Sequence, residues 1–164
     1  TSMICAKLKG ASKIVAIDID ENRLNIAQQQ QLADICLNPL KDDIEYAVKS
    51  ITENRGADSV IEAAGAQTTF EMAWKIARPN AIVAVVAMYE SPQILPLPQM
   101  YGKNLIFKTG GVDAIYCKEL LRYISEGRIN TDFLISKKIK FDDIISRNII
   151  SERGHNERKD NNIG

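Results

Sequence analysis

The sequence predicts an α/β fold, a doubly wound parallel sheet with helices on its faces, and three observations predict it. Short β-branched runs alternate with helix-patterned segments along most of the chain, and the connections between them are short. The most hydrophobic run, residues 81–88 (AIVAVVAM), is apolar at every position, the pattern of a strand covered on both faces, as parallel sheets require. Length and composition agree: 164 residues, 45 % hydrophobic and 26 % charged, suffice for one sizeable core and exclude low-complexity disorder. Lys plus Arg number 21 against 21 Asp plus Glu, so no net field calls for nucleic acid or an anionic membrane surface as partner. No apolar run approaches the ~18 to 20 residues of a membrane span, and no charged segment precedes an apolar one at the start. A soluble cytoplasmic protein is expected. Cys5, Cys36 and Cys117 are odd in number, widely spaced and set among apolar residues, which suits free thiols better than a disulfide framework.

Each element has its own reason. Residues 1–9 (TSMICAKLK) are helix-compatible and stop at Gly10, a natural left-handed terminator. Residues 13–17 (KIVAI) read as a buried strand ending at Asp18. A helix over 21–31 follows, capped by Asp20 and apolar at Leu24, Ile26 and Ala27. Residues 33–37 (ADICL) make a second strand closed by Asn38-Pro39, and 42–53 a helix with Ile44, Val48 and Ile51 in register. Gly56 ends that helix, 57–63 form a third strand, 68–77 a helix, Pro79-Asn80 a turn and 81–88 a fourth strand. After an irregular stretch with Pro92, Pro96 and Pro98 come a strand at 104–108, a Gly110-Gly111 loop and a helix at 116–126 with Leu120, Leu121 and Ile124 facing inward. A last amphipathic helix begins after Phe141-Asp142, and 151–164 is a polar, poorly packed tail.

In a doubly wound sheet, ligands sit at the carboxyl ends of the strands, near the point where strand order reverses. Asp18 stands at such an end. An acidic residue there accepts bonds from a ribose hydroxyl pair, about 20 residues after a Gly-rich phosphate turn. Counting back from Asp18 places that turn, and its strand, before Thr1. The plainer reading of Asp18 is a solvated strand-end carboxylate that helps to cap the next helix.

Three segments, 13–24 (KIVAIDIDENRL), 54–88 (NRGADSVIEAAGAQTTFEMAWKIARPNAIVAVVAM) and 102–112 (GKNLIFKTGGV), in this order and spacing, resemble the coenzyme domain of medium-chain zinc-containing alcohol dehydrogenases. The likeness runs over roughly residues 1–150 and fails in the tail. It implies a partial dinucleotide-binding, Rossmann-like domain over 1–150 whose first strand and phosphate turn are missing. It also implies that Asp18 binds the adenosine ribose and that Arg23 reaches the same ribose. Ala64-Gly65 is implied as a small-residue turn passing close to the dinucleotide, and Ala87, Gly110 and Gly111 as strand ends whose backbone groups hold the nicotinamide carboxamide. The implied cofactor is NAD, because the Asp18 charge repels a 2′-phosphate.

Several positions depart from the family. Its catalytic and structural zinc ligands and its phosphate turn are absent, Asn80 replaces a usual Gly, and Leu32 stands where a Gly ends the preceding helix. The full-length parent carries zinc and passes hydride between an alcohol and the nicotinamide; this chain alone, without zinc ligands, is expected to be inactive. The family also dimerises through this domain, so a homodimer, or a noncatalytic partner domain, is the alternative. A Rossmann methyltransferase also places an acid after its second strand, but would not carry the element KNLIFKTGG.

Overall fold

The computed structural model describes residues 1–111, 114–135 and 138–140. The chain divides into two compact units, Thr1–Ile115 and Tyr116–Gly164. In the first, helix α1 (Ser2–Leu8) stops as its sequence demands. Gly10 takes φ +80°, and the amides of Gly10 and Ala11 donate to the carbonyls of Lys7 and Ala6, satisfying helix-end acceptors.

Strand β1 (Val15–Ile17) pairs in parallel with β2 (Ile35–Leu37), Val15 opposite Ile35 and Ile17 opposite Leu37. Helix α2 (Glu21–Gln29) connects them, and the Asp20 carboxylate accepts from the amides of Asn22 (2.8 Å) and Arg23 (3.4 Å) at its start. α2 buries Leu24 and Ala27 and leaves Ile26 45 % exposed. Ile26 precedes Ala27 by one position, about 100° round the helix, so the two do not share a face. Helix α3 (Ile44–Ile51) is capped by Asp43, which accepts from Tyr46 N at 3.0 Å, and it buries Ile44 and Val48.

Strands β3 (Ala57–Glu62), β4 (Ala77–Val85) and β5 (Ile106–Thr109) form a second parallel sheet in the order β3-β4-β5. Helix α4 (Gln67–Ile76) joins β3 to β4, and a single helical turn, α5 (Leu97–Met100), lies within the proline-rich approach to β5. Ile44, Val48 and Ile76 of the helices pack on Ile17 and Leu37 of the first sheet and on Ala57 and Val60 of the second, so one helical layer spans both.

β4 differs from its predicted bounds at both ends. The expected turn at Pro79-Asn80 is instead absorbed into the strand: Ala77 already pairs with Ala57, and the register then shifts before Ser59 meets Ile82. Asn80 takes the left-handed φ of +61° at this irregularity, and its amide donates to Lys103 O at 2.7 Å. The strand ends at Val85, which puts Ala87 and Met88 in the following loop. Along β4, Ala81 and Val83 are fully buried and Val85 nearly so, packed with Phe70, Ala73 and Trp74 of α4, while Ile82 and Ala84 on the other face are half-buried. Ile61 and Ile106, which share that second face, are 46 % and 52 % exposed. The predicted cover on both faces is therefore complete on the α4 face only.

The carboxyl end of α4 is closed by a side chain from far along the sequence. Lys103 Nζ donates to the carbonyls of Trp74 (2.9 Å), Lys75 (2.7 Å) and Ala77 (3.0 Å) and lies 5.7 Å over the Trp74 ring. A cation at the negative end of a helix satisfies carbonyls that have no amide partner. Burial pulls its pKa below the ordinary lysine value.

In the second unit, helix α6 (Cys117–Ser125) buries none of its residues. Leu121 is 60 % and Ile124 40 % exposed, which corrects the expectation that these two face inward, while Leu120 is half-buried. An apolar stripe faces inward only where another element meets it, and within its own unit no described element covers this one. Arg128 stacks 4.1 Å over the Tyr123 ring, and a turn of 3-10 helix follows at Asp132–Leu134. The helix expected after Phe141-Asp142 and the polar tail lie outside the described residues.

Candidate functional site

Within each sheet all strands run parallel, so their carboxyl ends share one edge, and the candidate residues follow those ends. Asp18 comes directly after β1. Its amide stays in the ladder, donating to Leu37 O at 3.2 Å, while its side chain leaves the sheet. Oδ1 accepts from Asp20 N at 2.9 Å, and Oδ2 lies 3.4 Å from Arg23 Nη1. The first bond folds the chain so that Asp20 can cap α2, which is the plainer role the sequence offers for Asp18. Each oxygen retains lone-pair capacity, and the side chain is 29 % exposed. Arg23 is 73 % exposed, also lies 3.9 Å from Asp20, and leans over Asp18 rather than standing free. Acceptor and donor side by side suit a vicinal diol.

At the end of β2, Asn38 is 5 % exposed although polar. Its amide nitrogen donates to Ile19 O (3.3 Å) and Glu21 Oε1 (2.5 Å), and its backbone N–H to Asp42 (2.7 Å). It stitches the β2 turn to the start of α2, and so steadies the loop that carries Asp18.

The turns after β3 and β4 touch. Ala64 is exposed and Gly65 half-buried. Gly65 has φ +81°, and a Cβ built there meets Met88 O at 2.8 Å and Ala87 Cβ at 3.4 Å. Only glycine satisfies both the backbone angle and this approach. Gly110 and Gly111 follow β5 and are exposed, with no atom within 4 Å of a Cβ position at either; the space around them admits a side chain, so their identity is not dictated sterically. The structure thus brings Asp18 to Arg23 and Gly65 to Ala87, and sets Gly110-Gly111 after the neighbouring strand.

The sequence pattern overlooks a buried group beneath these turns. Glu62, the last residue of β3, is 4 % exposed. Its Oε1 accepts from Ala64 N (2.9 Å), Gly65 N (3.0 Å) and Thr69 Oγ1 (2.8 Å). Oε2 and the buried Tyr89 hydroxyl make no well-formed hydrogen bond, yet they lie close enough for the hydroxyl to act on the carboxyl. Burial pushes the Glu62 carboxyl up, but the neighbouring Tyr89 hydroxyl and the Gly65, Thr69 and Ala64 donors outweigh it and hold it below the usual value. Tyr89 is pushed up to about 12, first by burial and then by the Glu62 charge. The only sequence signal was an acid closing an otherwise ordinary strand.

A zinc ion, which the resemblance implies for the full-length parent, finds no seat here: among the described residues no group of three or more His, Cys, Asp and Glu is placed to hold a metal. Cys5 and Cys36 are half-buried and Cys117 exposed, all free. Among the described residues no helix is long and apolar enough to cross a membrane.

Parallel strands wound with helices, an acid after β1 and a glycine turn after β3 define a Rossmann-like coenzyme domain. The profile of the zinc-binding dehydrogenases matches residues 1–119, and the chain belongs to that family. An alcohol dehydrogenase of Cupriavidus necator is 31 % identical over 147 residues, 86 % of this chain and 39 % of the relative. The alcohol dehydrogenase TADH from Thermus sp. ATN1 is 31 % identical, superposes with a TM-score of 0.76, and is matched over 82 % of this chain and 39 % of its own. Zinc dependent alcohol dehydrogenase 2 from Streptococcus pneumonia, at 23 % identity, shares the fold with a TM-score of 0.85 over 96 % of this chain and 46 % of its own. The chain spans about two fifths of the length of these relatives.

Proposed function

We propose that this chain seats NAD(H) for a zinc-dependent alcohol dehydrogenase, and that Asp18 selects NAD over NADP. The observation that carries the reading is the Asp18–Arg23 pair after β1, a carboxylate with spare acceptor capacity beside a guanidinium. Asp18 accepts from the two adenosine ribose hydroxyls, and Arg23 donates to the same ribose. Replacing one hydroxyl by a phosphate dianion brings like charges together and weakens binding. The Gly65 turn and the Ala87 loop line the dinucleotide with backbone, and Gly110-Gly111 offer backbone groups to the carboxamide. Bound nicotinamide supplies the hydride acceptor or donor. Hydride exchange with an alcohol belongs to the whole enzyme, and no step is routed through a metal in these residues.

NADH fluorescence titration of the chain tests the reading. Asp18→Ala is expected to weaken NADH roughly tenfold, the value of one or two charge-assisted bonds. An unchanged titration refutes the ribose assignment, and no binding at millimolar NADH refutes the seat itself.

The free edge supports a second role. Among the described residues β5 ends the β3-β4-β5 sheet, with Ile106 52 % exposed, an edge able to pair with another copy. Light scattering on a sizing column is expected to show a dimer, and Ile106→Lys, which puts a charge on the exposed edge, a monomer.

A further inference from the structure

We propose that Glu62 is a positioning residue that couples the turn after β3 to the turn after β4, so that the two loops facing the coenzyme move as one. The inference rests on the NAD reading for its effect on binding, but not for the coupling itself.

Three facts carry it. One oxygen of Glu62 gathers three donors, the Ala64 and Gly65 amides of the β3 turn and the Thr69 hydroxyl in the first turn of α4. The same Thr69 hydroxyl accepts from Ala66 N at 3.2 Å, so α4 begins on this network. The turn after β3 is therefore held from below by a single buried carboxylate. Its other oxygen is buried without a well-formed bond, and the Tyr89 hydroxyl on the β4 loop, buried in the same way, lies close enough to act on the carboxyl. Tyr89 is itself anchored, edge-on to Phe70 of α4 at 6.2 Å and 81°. Finally, the two turns run so close at Gly65 that a Cβ there would lie 2.8 Å from Met88 O. Any shift of Met88 and Tyr89 is passed to Gly65 both directly and through Glu62. The Tyr89 hydroxyl is the donor at hand for Oε2, which links the β4 loop to the β3 turn through Glu62.

The test uses the full chain with Glu62→Gln, Tyr89→Phe and the double variant, read by amide NMR, by phenol absorbance against pH and by NADH titration. Without ligand, the Ala64 and Gly65 amide signals should shift in Glu62→Gln, and the Tyr89 phenol, relieved of the neighbouring charge, should ionise lower than in the unmodified chain. With NADH, each single change should weaken binding roughly tenfold, and the double change no more than either single one, because both break one link. Thr69→Val, a milder loss of one donor, should move the Gly65 amide in the same sense, and Thr69→Ser should restore it, whereas a purely packing role would leave Ser and Val alike. A phenol titration unchanged by Glu62→Gln, or single effects that multiply in the double variant, overturns the coupling. If the parent does not bind NADH, the coenzyme reading falls while the amide and phenol readouts still decide the coupling.

Discussion

Gly56→Ala and Gly65→Ala form a matched pair. Both glycines hold a left-handed φ, +93° and +81°, which costs a residue with a Cβ about 1–2 kcal/mol. Both would also drive that Cβ into backbone, 2.7 Å from Ile76 O at Gly56 and 2.8 Å from Met88 O at Gly65. To reach ordinary contact near 3.4 Å, the struck carbonyl must retreat by about 0.6 Å, and crowding of this kind typically costs 1–3 kcal/mol. Each variant should therefore lose about 3 kcal/mol, which lowers the urea midpoint by about 1.5 M when the slope is near 2 kcal/mol/M. Their effects on binding differ. Gly56 opens β3 at its amino end, whereas Gly65 follows its carboxyl end against the Ala87-Met88 loop, so only Gly65→Ala should raise the NADH dissociation constant, by roughly tenfold or about 1.4 kcal/mol. Equal urea midpoints for Gly65→Ala and the parent would refute the steric argument. Equal NADH losses in both variants would refute the placement of the site.

Asp18→Asn should reduce the preference for NADH over NADPH, measured by parallel fluorescence titrations, since it keeps the acceptor shape and removes the charge. Lys103→Met should destabilise by about 2–4 kcal/mol in urea, because it leaves the carbonyls of Trp74, Lys75 and Ala77 without their donor. Val83→Ala, at a position with no exposure, should cost about 2 kcal/mol for two lost methyl groups and their cavity. Stability should also follow pH through Glu62 and Tyr89. The Glu62 carboxyl is held below its usual value when folded, so its contribution is present above the unfolded value near ~4.3 and is lost as pH falls through the folded one. Tyr89, raised to about 12, contributes below about pH 10 and loses that contribution as pH climbs from there toward about 12. Denaturation midpoints across pH should show both limbs, the acid one flattened in Glu62→Gln and the alkaline one in Tyr89→Phe.

Much of the fold was legible because it is written in local pattern. Asp20 caps α2 since an acid before an amphipathic run finds free amides there, whereas the helix expected from 42 starts at Ile44 with Asp43 as its cap. Gly10 terminates α1 because little else tolerates its φ. The pattern misled where pairing, not propensity, sets the boundary: Ala77 joins β4 ahead of Pro79 and Asn80 because Ala57 lies opposite to receive it. It misled again at Leu121 and Ile124, whose apolar spacing promises burial but names no partner.

The sequence by itself determined the alternation of strands and helices, the acid after β1 and the small-residue turn after β3, since each follows from periodicity or from what one residue type can do. Only the tertiary structure decided that Asp18 also pins Asp20 and faces Arg23, that Gly65 must clear the Met88 carbonyl, that Glu62 is buried among donors, and that half-buried Lys103 meets the α4 carbonyls. Those relations join residues up to 29 positions apart, and their energies come from desolvated charges meeting dipoles in space, which no local pattern encodes.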